Sequence, residues 1–148
     1  MAYSILAWGH APSCRDIFAL QRRAIRVISG LSYRADCRSA FTTLGVLTFP
    51  SAYILECIIY VKRNTKAFSS NSDAHQYMTR GRENLAVKFN RLQACQNSTN
   101  YWCVKLYNRL SPSTKALNIK SLKSKAIEYL KKHAFMSMNE FLEAGVAC

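Results

Sequence analysis

Four arginines near the N-terminus are the residues whose type and spacing most directly suggest a chemistry. Arg15, Arg22 and Arg26 fall within about 40° of one another on a helix, and Arg23 lies beside them. The planar guanidinium group can bind two phosphate oxygens at once, which suits it to a nucleic-acid backbone. The spacing therefore predicts a basic ridge that contacts phosphates without distinguishing the bases.

The helix that must carry this ridge also has an aliphatic stripe, which we expect to be its buried face. Ser13 followed by Asp16 predicts a capping box at the helix start, and Gly30 predicts its end. The stripe repeats with helical spacing and consists of Ile17, Leu20, Ala24, Val27 and Ile28. The arginines should then face solvent on the opposite side. Such a face often serves only solubility, but this one carries a single acid, Asp16.

A second basic cluster follows in a segment without helical periodicity, residues 76–93, which we expect to be extended and to form a short strand pair. Its members are Arg80, Arg82, Lys88 and Arg91. Tyr77 precedes them and is a candidate for stacking on an unpaired base, as aromatic side chains do in single-strand binders. The alternative for Tyr77 is a half-buried loop aromatic.

Residues for catalysis or metal binding do not converge anywhere in the sequence. There are only eight acids, no glycine-rich phosphate loop, and three histidines that lie far apart. None of the six cysteines follows another at zinc-ligand spacing, and Cys14 and Cys57 fall inside predicted helices. We therefore predict no catalytic residue, no metal site and no cofactor, and cysteines buried in a reducing, intracellular compartment (cytoplasm or nucleus).

The overall charge supports a polyanionic partner. The 148 residues include 21 Lys and Arg against 8 Asp and Glu, a formal net charge of +13. Nucleic acid is the first expectation and an anionic membrane the second. The longest apolar run, residues 53–61, is nine residues long and contains a glutamate, so we expect no membrane span.

Helical patterns dominate, so the predicted fold class is mostly α, with C-terminal helices and a short extended segment near 76–93. Pro50 predicts the start of a long helix whose buried face contains Tyr53, Ile54, Cys57, Ile58 and Val61. Another helix should begin at Thr99 or Asn100, and a third should bury Ile119, Leu122, Ala126 and Leu130 beneath a lysine-rich outer face. We expect a helical region at 1–66, a loop and extended linker at 67–98, and a helical extension at 99–148.

Several segments, in order along the chain, resemble the region that follows the palm in non-LTR retrotransposon reverse transcriptases of the jockey type. The first are Tyr3–Gly9 (YSILAWG) and Ile17–Gly30 (IFALQRRAIRVISG). His75–Arg80 (HQYMTR), Val104–Leu110 (VKLYNRL) and Phe135–Leu142 (FMSMNEFL) follow. Ser4, Ser111 and Met136 depart from the pattern of that family.

The resemblance implies a thumb-like helical bundle that grips RNA or an RNA/DNA hybrid and packs against an upstream palm of the same polyprotein. That palm would carry the catalytic [FY]-x-D-D and bind Mg²⁺, and Met1 would be an internal methionine. The chain would then be a non-catalytic fragment of an RNA-directed DNA polymerase encoded by a transposable element. The alternative is a structural or protein-interaction module, or an inactive relic of such an element.

Overall fold

The computed structural model describes residues 2–74, 81–82, 84–87, 91 and 98–144, with the side chains of residues 2–4 and 73–74 left aside. This part of the chain is mostly helical, as predicted. In chain order its helices are α1 (Ala2–Trp8), α2 (Cys14–Ile28), α3 (Arg38–Leu44), α4 (Phe49–Arg63), α5 (Asn71–Ala74), α6 (Thr99–Asn108), α7 (Pro112–Ala116), α8 (Ile119–His133) and α9 (Met138–Glu143).

Helix α4 is the centre of the fold. Thr48 caps its N-terminus by accepting a hydrogen bond from the Ser51 backbone N–H, and Pro50 occupies the first turn, where a missing N–H costs nothing. The predicted buried face is confirmed: Tyr53, Ile54, Cys57, Ile58 and Val61 are all at most 1% exposed. Burial extends to the neighbouring aliphatic residues, so α4 is enclosed on nearly all sides.

The main hydrophobic core forms where α4 packs on α6 and α8, with α1 on a further side. Helix α6 contributes Cys103, Val104, Leu106 and Tyr107, and α8 contributes Leu122, Ala126 and Leu130. Gly9 is required beside this core because a Cβ there would lie 2.2 Å from a ring carbon of Tyr53. The core thus joins residues from the predicted 1–66 and 99–148 regions.

A second, smaller cluster joins α2 and α3 to the end of α8. It contains Phe18 and Ile25 of α2, Cys37, Ala40 and Phe41 around α3, and Ala134. The rings of Phe18 and Phe41 meet at 6.4 Å between centroids. An ion pair from Arg38 of α3 to Glu140 of α9 closes the same side of the molecule.

The predicted buried stripe of α2 is exposed, which corrects the sequence interpretation. Leu20 is 64% exposed, Val27 75% and Ile28 67%, while Ile17 and Ala24 are exposed as well. The buried face is instead formed by Cys14, Phe18 and Ile25, together with the partly buried Gln21.

Gln21 explains why this other face is buried. Its side-chain amide donates to the Leu47 carbonyl at 2.9 Å and accepts from the Phe49 N–H at 2.7 Å. Both groups lie just before and at the start of α4, so Gln21 anchors α2 to the central helix. A polar side chain can thus occupy a buried face when its hydrogen bonds are satisfied.

The helix ends follow the predicted residues in most places. Gly30 has φ +64° and ends α2, with Leu31 N–H donating to the Arg26 carbonyl and Gly30 N–H to that of Val27, as in a Schellman motif. Ser13 precedes α2 but makes no capping hydrogen bond through its side chain, so the predicted capping box there is wrong.

Serine side chains cap the N-termini of α6 and α9. Ser98, one residue before the predicted cap, accepts from the Tyr101 N–H and begins α6. Ser137 caps α9 by accepting from the Glu140 N–H, and Glu140 reaches back to the Met136 N–H at 2.8 Å. Ser137 and Glu140 therefore form a capping box at α9. It differs from the usual one in that Glu140 accepts from the N–H of Met136, one residue before the N-cap.

The outer face of α8 carries exposed lysines, as predicted, and Leu122, Ala126 and Leu130 are buried, whereas Ile119 is 38% exposed. At the boundary between the predicted helical region and the predicted linker, Thr65–Ala67 form a 3-10 turn that precedes α5. The described residues contain one β feature, an isolated antiparallel bridge between Ser70 and Leu85.

Within the described ranges no single helix is long and apolar enough to cross a membrane. Helices α3 and α4 are bent by 59° relative to each other, and together they have the length and composition of a broken membrane-spanning segment. Most of α4 is buried in the main core, and a buried core helix meets the same criteria.

Candidate nucleic-acid interface

An open groove of about 610 Å³ lies between α2 and the loop that follows it. Helix α2 supplies three of the four predicted arginines, Arg22, Arg23 and Arg26, and the loop supplies Tyr33 and Arg34. The remaining lining residues are Asp16, Ala19 and Leu20. Four guanidinium groups and one carboxylate give the groove a strongly positive lining.

The loop that forms the far wall of the groove is held by contacts at both of its ends. Gly30 turns the chain at the end of α2, and Cys37, 1% exposed, fixes the start of α3 in the second core cluster. Between them, Arg26 Nε donates to the Ala35 carbonyl at 2.8 Å. The Arg26 side chain therefore has a structural role in addition to its charge.

Arg22 lies at the boundary between the groove and the second core cluster. Its guanidinium carbon is 4.9 Å from the centre of the Phe18 ring, a cation–π distance. Its Nε is buried and makes no hydrogen bond. Arg22 is thus fixed by stacking on Phe18, and packing on an aromatic ring holds the guanidinium beside the groove.

Arg23 is exposed and makes neither a salt bridge nor a cation–π contact within the described ranges, so it projects freely beside the groove. Arg34 is exposed as well. These two arginines are the most exposed of the four that line the groove.

Tyr33 and Arg34 were not predicted as site residues. Tyr33 is 74% exposed, although an aromatic ring of this size is usually at least half buried. The available sequence signal was the Tyr-Arg pair that follows a glycine-terminated basic helix after two residues. An exposed ring between arginines offers a base a stacking surface next to contacts for its phosphate.

Arg15, the fourth predicted member of the ridge, lines a different cavity of about 480 Å³ with Phe18, Phe49, Trp102 and Met136. Arg15 is exposed and lies on the side of α2 nearer the main core. The ridge predicted from the sequence is therefore shared between two concave surfaces.

Only part of the second predicted basic cluster can be located. Arg82 and Arg91 are exposed, and the Arg82 carbonyl accepts a hydrogen bond from the Ser72 N–H at 3.1 Å. Tyr77, Arg80 and Lys88 lie outside the described residues. Their role in nucleic-acid binding stays a prediction.

The described cysteines are small buried hydrophobic residues, as expected. Cys14, Cys37, Cys57 and Cys103 are free thiols, each at most 8% exposed. Burial raises the pKa of Cys57 far above its ordinary value, and burial also raises the pKa of Cys14. A protonated, enclosed thiol is a poor nucleophile and a poor metal ligand.

In the part of the chain that the structure describes, no three His, Cys, Asp or Glu side chains converge in a way that could hold a metal ion. A comparison with protein-family models, curated proteins and solved structures finds no match to this chain. The resemblance to non-LTR retrotransposon reverse transcriptases therefore rests on the sequence motifs.

Proposed function

We propose that the chain binds RNA or an RNA/DNA hybrid through its phosphates, as a non-catalytic part of an RNA-directed DNA polymerase of the non-LTR retrotransposon type. The observation that carries the binding proposal is the groove that Arg22, Arg23, Arg26 and Arg34 line together with the exposed ring of Tyr33. The catalytic aspartates and their Mg²⁺ would belong to the upstream palm.

The mechanism of binding is the release of counterions from phosphates. Each phosphate that an arginine neutralises frees a condensed cation, so the logarithm of the binding constant falls linearly with the logarithm of salt concentration. No base edge needs to be read, since the arginines contact phosphates and the tyrosine stacks on any base. The net charge of +13 supports the same partner by accelerating its approach.

The motifs that resemble reverse transcriptases contain residues with structural roles in this fold. Gly9, which ends the first motif, allows Tyr53 to approach, and Gln21 in the second motif anchors α2 to the start of α4. Ser137 and Glu140 in the last motif cap α9. Proteins that share a helical fold are expected to keep the residues that have such structural roles.

The binding proposal is tested by titrating a fluorescently labelled single-stranded RNA with the chain between about 50 and 200 mM salt. The double variant Arg23→Gln/Arg34→Gln should flatten the slope of log K against log salt by about 1.4, because two phosphate contacts are lost. Arg22 and Arg26 are less suitable targets, since Phe18 stacking and the bond to Ala35 would be lost with them.

A matched control removes the same charge from another surface. Lys120→Gln/Lys123→Gln takes two exposed cations from α8, far along the chain from the groove. The slope of this variant should stay close to that of the wild type. Equal slopes for both double variants would show that the charge acts diffusely and that the groove is not the site.

The polymerase part is tested separately at the level of the gene. An open frame leading from the Met1 codon back to an [FY]-x-D-D sequence would support it. A stop codon or a promoter directly upstream would contradict it while leaving the RNA-binding result intact.

A second candidate function is favoured by a different observation, the exposed aliphatic stripe of α2. A contiguous apolar surface of this kind marks an interaction with another macromolecule. Leu20 belongs to the stripe and also lines the groove, so the two surfaces adjoin on the same helix.

A further inference from the structure

The cavity that Arg15 lines has the size and composition of a ligand site. Its volume, about 480 Å³, falls within the range of roughly 300–1,000 Å³ that sites for small molecules and cofactors occupy. Residues from α2, α4, α6 and the start of α9 form an aromatic and thioether lining, which includes Phe18, Phe49, Trp102, Met136 and Met138. An aromatic lining of this kind suits a flat ring.

Polar side chains at the cavity have hydrogen-bonding capacity that the fold leaves unused. The Tyr53 hydroxyl lies 3.4 Å from Nδ1 of His10, so Nε2 of this imidazole is left for another partner. The Trp102 indole N–H and the Asn139 amide make no hydrogen bond within the described part of the chain. Side chains of these types recognise the edges of unpaired bases, while aromatic rings stack on their faces.

The charge at the cavity favours an anionic ligand. Arg15 is exposed and forms no ion pair within the described ranges, and none of the described residues that line the cavity is Asp or Glu. Lys105 adds a second cation nearby, with its Nζ 5.3 Å from the centre of the Trp102 ring. A nucleotide combines the flat ring that the aromatic lining suits with the phosphate that these cations attract.

The cavity adjoins the arginine groove on α2. Phe18 lines the cavity, and the Arg22 guanidinium, which lines the groove, lies 4.9 Å from the centre of the same ring. Arg15 and Arg22 are seven residues apart in the sequence, which is about 10 Å along the helix axis. A single strand whose phosphates contact Arg22 can therefore extend to Arg15 and bring its next bases to the cavity.

We propose that the cavity between α2, α4, α6 and α9 receives an unpaired base of the RNA whose phosphates occupy the arginine groove. Trp102 supplies the stacking surface, His10 and Asn139 contact the edge of the base, and Arg15 contacts its phosphate. This inference rests on the proposed function, because the strand that reaches the cavity is the one that the groove binds.

The test uses the full chain and two labelled oligonucleotides of about eight nucleotides, a length typical of single-strand sites. One is oligouridylate, and the other is the same ribose–phosphate chain without bases, which keeps the charge and removes every stacking partner. Trp102→Leu removes the stacking surface from the cavity. Tyr101→Leu is the matched control, since Tyr101 is a half-buried aromatic residue of the same helix that does not line the cavity.

Trp102→Leu should weaken oligouridylate binding at least about fivefold, the loss expected for one base stacked on an aromatic ring. The same variant should bind the base-free chain as the wild type does, because only phosphate contacts remain. Tyr101→Leu should leave both affinities unchanged. Circular dichroism should show wild-type helical content in both variants.

A second measurement needs no variant. A set of oligouridylates carries one 4-thiouridine at each position in turn, and irradiation cross-links this base to the residues that it contacts. Mass spectrometry of the wild-type chain should locate cross-links from at least one position at Trp102 or Met138.

Several outcomes would overturn the proposal. Equal losses of Trp102→Leu for both oligonucleotides, or cross-links confined to Tyr33, would mean that no base enters the cavity, while the slope measured for Arg23→Gln/Arg34→Gln still tests the groove. Uridine monophosphate that binds as tightly as the oligonucleotide, and loses affinity in Trp102→Leu, would assign the cavity to a free nucleotide. A wild-type chain that binds neither oligonucleotide would contradict the proposed function as well.

Discussion

Helices α2 and α4 are both 15 residues long, but α4 is mostly buried whereas α2 is mostly exposed to solvent. Nine residues of α4 are buried, from Pro50 to Val61, and they cover nearly the whole circumference of the helix. In α2 only Cys14, Phe18 and Ile25 are buried. The remaining surface of α2 is divided between arginines and an aliphatic stripe.

The difference in burial gives the two helices different roles: α4 is the scaffold of the fold, and α2 presents exposed faces. Helix α4 orders the core, with nine of its fifteen residues buried. Helix α2 is attached along one narrow face, by Phe18, Ile25 and the Gln21 amide, so its other two faces stay available. The buried, basic and exposed apolar faces of α2 point about 100–150° apart around its axis.

The largest expected effect contrasts one isoleucine in each helix. Ile58→Ala should lower the free energy of unfolding by about 2–5 kcal/mol, because Ile58 is 1% exposed and its removal leaves a cavity. Ile28→Ala, at a residue 67% exposed, should change it by less than about 0.5 kcal/mol. Urea unfolding followed by circular dichroism measures both. Similar losses in the two variants would mean that α2 is buried along its aliphatic stripe.

The anchor of α2 gives the next effect in size. Gln21→Ala leaves the Phe49 N–H and the Leu47 carbonyl without their partner, so the free energy of unfolding should fall by about 1–3 kcal/mol. Gln21→Glu keeps an acceptor for the Phe49 N–H but loses the donor to the Leu47 carbonyl. The free energy of unfolding of this variant should lie between those of the wild type and the alanine variant. If Gln21→Ala unfolds at the same urea concentration as the wild type, the amide does not anchor the helix.

The smallest effect concerns pH and the contact between α3 and α9. Burial tends to raise the pKa of the Glu140 carboxyl, but hydrogen bonds from Arg38 and from the Met136 and Ser137 backbones outweigh it, and that pKa lies below its ordinary value of 4.5. A lowered pKa stabilises the fold above pH 4.5, and the contribution is lost as pH falls through the folded value.

Glu140→Gln removes this contribution and should cost about 1 kcal/mol or less at pH 7, since the pair with Arg38 is partly exposed. The variant and the wild type should converge in urea unfolding at a pH well below 4.5. A constant difference between them at all pH values would show that the charge of Glu140 is not involved.

The sequence predicts α4 better than α2 for a physical reason. Helix α4 is apolar on nearly all sides, so the predicted stripe from Tyr53 to Val61 is buried together with Leu55 and Ile59, which the stripe left out. In α2 two apolar faces compete, and the one with the cleaner aliphatic pattern is exposed. Gln21 decides between them through hydrogen bonds to residues 47 and 49, and such tertiary bonds leave no trace in the periodicity of α2.

Three of the four arginines that line the groove could likewise be predicted, but the groove itself could not. Helical spacing places Arg22, Arg23 and Arg26 on one side of α2 without any knowledge of the fold. The opposite wall depends on the loop of Tyr33 and Arg34, which is positioned by the Arg26–Ala35 bond and the buried Cys37. These are contacts between segments, which local patterns do not encode.

The most direct test of the central claim, that α2 presents the binding surface while α4 holds the fold, is chemical footprinting of the full chain with and without single-stranded RNA. Phenylglyoxal modifies exposed arginines and acetylation modifies exposed lysines, and mass spectrometry quantifies each site. The account predicts that RNA protects Arg23 and Arg34 strongly and Lys120 and Lys123 of α8 weakly. Equal protection of both pairs, or protection of the lysines alone, would contradict it.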